Sequence, residues 1–411
     1  MDRHGIPDDI VAVGDSLLRF VEHEVEPLER DNAALLATGR TIYDEQGRFA
    51  PEVLKLRAEV RKRSANAGFY TMFGPEELGG SGLGPVAAVY LNALLSEATG
   101  PGRPLIHPVV IPSPFTNGLS PVLKALQPNM RNRYLPGLAD GSRTLCFALS
   151  EPDAGSDVFM MKTRAVRDGN DWVLTGTKQW ITNGPYADHV MVFAVTDPEL
   201  AAARKGGVTG FLVNTNQAGF SVVSTIPIMG HLGAEIGILS FDGVRVADDH
   251  RLGDVGDGMN VALRGVNIGR LGLSATCVGL ARWALAQALD YATTRKTFGT
   301  SIGNHQAVQT LLADSALDIY SAETMLIDCA TRLERGDGAL AELSMVKLHC
   351  TEAANRVFDR CMQVHGGMGL TNELRLEEGY RFTRSMRIPD GTSEIQRRTI
   401  ARDLLSRGIG F

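Results

Sequence analysis

DGNDWVLTGTKQWITNG, residues 168–184, is the stretch on which the fold turns. Its centre is rich in β-branched and aromatic residues and is closed by DGN on one side and by an NGP turn on the other, so it reads as a strand between turns. The same signature recurs in HVMVFAV, GFLVN and FDGVRV, bounded by GGVTG and DDH, and residues 144–253 therefore form a β block. Toward the amino terminus, residues 8–143 read as helices separated by glycine and proline punctuation such as GPEELGGSGLG at 74–84. Toward the carboxy terminus the helical period returns at Leu273, Cys277, Leu280, Ala284, Ala288 and Tyr291, and long helical stretches follow at 305–334 and 339–364. Helices and strands segregate rather than alternate, which gives an α+β fold class and argues against a doubly wound nucleotide-binding sheet. The expected division is an amino-terminal helical domain over 1–143, a middle β domain over 144–253 and a carboxy-terminal helical bundle over 254–411.

A chain of 411 residues with 44% apolar residues can bury a large core. Its formal net charge of -6, with both signs interspersed, offers no broad basic face for nucleic acid and no polybasic tail for an anionic membrane. The cysteines Cys146, Cys277, Cys329, Cys350 and Cys361 are odd in number, widely spaced and without a CxxC pair, which suits reduced thiols and a cytoplasmic setting. The opening MDRHGIPDDIVAVGDSLLRF is too acidic for a secretory signal or a mitochondrial transit peptide. No uninterrupted apolar run reaches the roughly 18 residues that a membrane-spanning helix needs.

Five clusters carry candidate chemistry, and each also has an ordinary structural explanation. LSEPDAGSD, residues 149–157, offers small residues for close backbone approach and the hydroxyls of Ser150 and Ser156, yet it equally suits a plain inter-domain turn. GTKQWITNG, residues 176–184, sets Trp180 and Thr182 on one strand face, an aromatic wall beside a hydroxyl; a buried strand with the tryptophan inward is the commoner arrangement. RKTFG, residues 295–299, places Arg295 at a helix end, where the dipole alone favours a cation. QVHGGMG, residues 363–369, closes a helix with two glycines where one suffices. In RIPDGTSEIQRR, residues 387–398, Pro-Asp-Gly is turn chemistry, and Ser393 with Gln396 forms a capping box. Asp390, a carboxylate on that rigid turn, is also a candidate base. Cys350, Cys361 and His365 lack tetrahedral spacing and a fourth partner, so no metal site is expected.

In this order and spacing the five clusters, together with PEELGGSGLG at 75–84, resemble the acyl-CoA dehydrogenase family of flavoproteins over essentially the whole chain. The resemblance implies a barrel-like middle domain and an FAD held between it and the carboxy-terminal bundle. It implies that Phe147, Leu149, Ser150, Gly155 and Ser156 line the flavin or the start of the thioester channel, with Trp180 and Thr182 beside the ring system. It implies further that Arg295, Thr297 and Gln306 hold the diphosphate and adenosine of a neighbouring subunit's FAD, with Gln363, Gly366 and Gly367 completing that site. A homotetramer or homodimer follows from such sharing. Thr392 and Glu394 match further flavin contacts, while Ser156, Asn267, Arg270 and Gly391 match the substrate side.

The implied reaction removes a proton α to a thioester carbonyl and a hydride from the β carbon of an acyl-CoA or a carrier-protein thioester. Electrons would pass to an electron-transfer flavoprotein or another acceptor. Here the chain departs from the family pattern. The usual base at the position of Asp390 is glutamate, and the alternative base position on the channel helix is Gly269, which leaves Asp390 as the sole carboxylate at either place. Aspartate is one methylene shorter, and Pro389 before it could shift the turn to compensate. Aspartate at this place also fits an oxidase of the same superfamily acting on a small carbon acid such as a nitroalkane. Intact flavin-contact motifs argue against a non-catalytic scaffold.

Overall fold

The protein is described by a computed structural model over residues 5–37, 41–113, 115–230 and 235–409. Its first helical block comprises α1 (Asp8–Phe20), α2 (Glu26–Asp31), α3 (Ala33–Leu36), α4 (Pro51–Asn66), α5 (Pro85–Thr99) and α6 (Pro128–Ala139). The helices α4, α5 and α6 each carry proline in the first turn, where a missing N–H costs no intrahelical bond and the fixed φ already suits a helix. Asp8 and Asp9 begin α1 and Arg19 ends it, in the sense the helix dipole favours.

The middle block contains β1 (Leu145–Ala148), β2 (Arg164–Asp168), β3 (Asp171–Thr182), β4 (His189–Val195), β5 (Val208–Asn214), β6 (Phe220–Thr225), β7 (Ile236–Ala247) and β8 (Arg251–Leu252), with the short α7 (Pro198–Ala202) after β4. The strands run β6-β7-β3-β2-β4-β5-β8 in one eight-stranded sheet, with β1 parallel on β4. The path is open between β6 and β8 among the described residues. The strand β4 is buried from Val190 to Val195, and this explains why HVMVFAV is apolar on successive residues instead of alternating. The strands β1, β2, β6 and β8 were not marked by the sequence signature. They are short: β8 has two residues and β1, though apolar and largely buried, only four, while β2 is mostly exposed and polar.

The last block consists of α8 (Gly258–Thr294), α9 (Gln306–Arg335), α10 (Leu340–His365), α11 (Leu376–Ser385) and α12 (Ser393–Arg407). A small antiparallel pair, β9 (Lys296–Thr297) and β10 (Thr300–Ser301), turns the chain from α8 to α9. One apolar core joins Leu17, Leu91 and Leu95 of the first block to Val278, Leu326, Leu343 and Val346 of the last. The two outer thirds are thus one helical body. Gly279 is where α8 meets α5: a Cβ there would lie 2.2 Å from the Ala93 carbonyl oxygen, so only glycine permits this approach. Among the described residues no helix is long and apolar enough to cross a membrane.

Candidate active site

Asp390 sits in the turn between α11 and α12 with φ of 56°, a left-handed conformation that aspartate tolerates better than most residues. Gly391 follows at φ 92°. The carbonyls of these two residues are gripped from three helices. Arg270 of α8 donates Nε–H to the Asp390 carbonyl oxygen at 2.8 Å, and the Lys347 ammonium of α10 donates to the Gly391 oxygen at 2.9 Å. The Gln396 amide of α12 donates to both oxygens at 3.0 Å each. Because the backbone takes these bonds, the Asp390 carboxylate is left to face the space beside α8. The Gly391 N–H has no hydrogen-bond partner among the described residues.

The charge state of the turn follows from this packing. Burial pushes the Asp390 carboxyl up to about 6, against the opposing attraction of Lys347 and Arg270. Burial brings the Lys347 ammonium down to about 8, with Asp390 as its main opposing partner. Near neutral pH the carboxylate and the ammonium are therefore both mainly charged.

Gly269 leaves room beside the Asp390 carboxylate. A Cβ at that position would stand 3.1 Å from Asp390 Oδ2 and 2.2 Å from Phe115 Cε2. Phe115 lies against Phe147 with ring centroids 5.0 Å apart, and Phe147 continues to Phe193 at 5.0 Å, so an aromatic column runs from the carboxylate into the β domain. Asn267 accepts from Arg270 Nη1 at 3.1 Å. Arg270 and Asn267, expected on the substrate side, are therefore engaged with each other and with the loop of the base.

On the β side, the loop 149–151 is pinned by Lys178, fully buried in β3, whose ammonium donates to the Leu149 carbonyl at 2.9 Å and to Glu151 Oε1 at 2.8 Å. Glu151 also accepts the Lys162 and Thr163 backbone N–H groups. Burial lowers the Lys178 ammonium to about 8; burial alone would raise Glu151, but its partners hold it below the ordinary range. Gly155 and Ser156 are exposed, with open space over Gly155. Trp180 corrects the inward arrangement: it is 52% exposed, at φ 66°, where the β3–β7 register is irregular between Lys178 and Ile181. The alternation slips between Lys178 and Ile181, both buried, and so carries Trp180 off the buried face; Ile181 is buried between Trp180 and Thr182, which are not.

The remaining sequence-marked residues gather elsewhere. Tyr291 near the end of α8 stacks on His365 at the end of α10 with centroids 4.6 Å apart, so the helix ends next to Arg295 and next to Gln363, Gly366 and Gly367 lie together. Arg295 is exposed without a side-chain partner among the described residues, Gln306 and Gln363 are exposed, and open space lies over both glycines. Thr297 meets His305 Nε2 at 3.2 Å. From Lys347 to Gly366 is roughly 28 Å along α10, and from Arg270 to Arg295 roughly 38 Å along α8, at about 1.5 Å per residue. The Asp390 turn, held by Arg270 and Lys347, is thus far from Arg295 and from Gly366. No cluster of metal-ligating side chains occurs among the described residues.

Two details differ from expectation. The cap of α12 is Thr392, whose Oγ1 accepts from Ile395 N–H at 3.3 Å, rather than Ser393, and Gln396 reaches carbonyls of the turn instead of the cap N–H. Glu394 is exposed. Lys347, Lys178 and Phe115 escaped the sequence reading, and Gln396 was read only as part of a capping box. For the lysines a signal existed: each is a lone cation inside an apolar or strand pattern, LSMVKLHC and TGTKQWIT.

Profiles of the acyl-CoA dehydrogenase N-terminal, middle and C-terminal domains match residues 8–142, 146–244 and 256–405. The chain is 31% identical to a 3-(aryl)acrylate reductase of Clostridium sporogenes over 94% of its own length and 96% of that protein. It is 34% identical to the human mitochondrial short-chain specific acyl-CoA dehydrogenase, over 84% of this chain and 82% of that one. Among solved structures, the FAD complex of PigA is similar with a TM-score of 0.82 and 26% identity, covering 99% of this chain and 100% of that chain. The chain belongs to the acyl-CoA dehydrogenase family and is a flavin-dependent oxidoreductase acting on CH–CH bonds.

Proposed function

We propose that this protein is an FAD-dependent dehydrogenase that introduces the α,β double bond of an acyl thioester, with Asp390 as the base. The observation that carries the reading is the Asp390 turn, whose carboxylate is freed by a clamp on its own backbone and titrates near neutrality. FAD fits the residues present: Trp180 stands exposed in a strained bulge, open space lies over Gly155, Gly366 and Gly367, and Arg295 has no carboxylate to neutralise it. When bound, FAD supplies the acceptor for the hydride that leaves the β carbon.

The side chains of this protein supply the rest. The Asp390 carboxylate accepts the α-proton, a step to which a well-placed base contributes typically about 10²- to 10⁴-fold. The unpartnered Gly391 N–H is a donor for the thioester oxygen as negative charge develops there. Phe115 and Phe147 keep water from the α carbon on the α8 side. The distance between the base turn and the Arg295 cluster supports their serving flavins in different copies of the chain, hence a homo-oligomer. A CoA or carrier-protein thioester as substrate, and an electron-transfer flavoprotein as acceptor, accord with this chemistry.

Anaerobic titration of the purified yellow protein with a panel of acyl-CoAs and nitroalkanes, followed by flavin absorbance, tests the reading. Bleaching by acyl-CoAs alone is the expected result. Bleaching by nitroalkanes alone would replace it with the oxidase reading, which the short base also suits.

A further inference from the structure

The base turn contains a charge that turn formation does not require. Lys347 is fully buried on α10, and its ammonium donates to Gly391 O at 2.9 Å. A neutral donor would satisfy that oxygen, and Gln396 already reaches it at 3.0 Å. Burying an ammonium is costly unless a counter-charge compensates. The charged and titratable groups facing Lys347 are Asp390 on the turn, Cys277 and Arg270 on α8 and Glu394 on α12. Glu394 is exposed and Arg270 is a cation, so Asp390 is the one buried-side carboxylate available to it.

We propose that Lys347 is a positioning residue for the base, holding the left-handed turn through Gly391 O and keeping the Asp390 carboxylate anionic and aimed at the substrate. This rests on the reading of Asp390 as the base. The division of labour is specific. Arg270 and Gln396 grip the Asp390 carbonyl, Lys347 grips the next one, and the peptide plane between the two oxygens is thereby fixed from opposite helices. For a carboxylate one methylene shorter than glutamate such fixing matters more, because an error of about 1 Å can cost roughly 10²-fold in rate.

Lys347→Gln removes the charge and keeps a donor; Lys347→Met removes both. The first readout needs no substrate: the protonation midpoint of Asp390, measured on the flavin-loaded protein by infrared difference spectroscopy and assigned with Asp390→Asn. Both variants should raise that midpoint by about one pH unit or more, the effect of losing a neighbouring opposite charge. In turnover, Lys347→Met should also lose about 10- to 100-fold in kcat at high pH, with KM within about twofold, while Lys347→Gln should recover most of the high-pH rate. Should Lys347→Met fail to fold, Lys347→Gln set against the charge-preserving Lys347→Arg gives the same comparison. A midpoint unchanged in folded, flavin-loaded variants would overturn the proposal. Failure of the wild type to bleach with any acyl thioester would instead count against the function above, and the infrared midpoint would remain readable.

Discussion

At the scale of single residues, Asp390 is a group held where ionisation is unfavourable. Its raised midpoint means that the folded state binds a proton more tightly than the unfolded chain does. The associated stability is present at low pH and is lost as pH rises from the ordinary aspartate range through about 6. Asp390→Asn keeps the left-handed turn and removes that cost, so it should unfold later than wild type at neutral pH by roughly 1–3 kcal/mol, with the gap closing in acid. The same variant should retain its flavin and lose substrate bleaching; bleaching at the original rate would exclude Asp390 as the base. In the wild type, flavin reduction should rise with pH through about 6 as the carboxylate forms. Gly269→Ala is a second residue-scale test. Its methyl would press on Phe115 and come within 3.1 Å of Asp390 Oδ2, tighter than ordinary contact. An overpacking cost of about 1–3 kcal/mol and a slower reduction step are expected, and unchanged urea midpoint and rate would count against this tight fit.

At the scale of elements, helices and strands present cations inward. The strand β3 carries Lys178 into the loop that opens the β domain, where it meets Glu151 and the Leu149 carbonyl with no exposure to solvent. Removing one partner of such a pair strands the other, so Lys178→Met should destabilise by about 3–5 kcal/mol in urea denaturation, whereas adding Glu151→Gln should return part of the loss. Additive losses in the double variant would show that the pair is not coupled. The irregularity just beyond Lys178 belongs to the same design. It flips Trp180 out of the alternation that would have buried it, and so turns a core-like tryptophan into a surface one.

At the scale of the whole molecule, Arg295 just beyond α8 and Gln363, Gly366 and Gly367 at the end of α10 lie far along those helices from Arg270 and Lys347, which hold the Asp390 turn, and open space lies over both glycines. Arg295→Ala should weaken flavin retention, read as flavin content after dialysis, and unchanged content would rule out its phosphate role. The helical, β, helical order was legible in the sequence because turn residues and hydrophobic period are local properties. The motif residues were legible as a family resemblance, Asp390 and Gly269 among them. Other features were invisible for a physical reason: they depend on contacts between segments distant in sequence. Only the tertiary structure merges the first and last helical blocks into one core, since an apolar helix face does not name its partner. Only it brings Arg270, Lys347 and Gln396 from three helices onto two consecutive carbonyls, because the chain shows a buried lysine merely as an interruption of an apolar pattern. The sequence by itself determined which groups could do chemistry; the packing of α8, α10 and α12 decided that the carboxylate of Asp390 is held ready while its backbone carries the bonds.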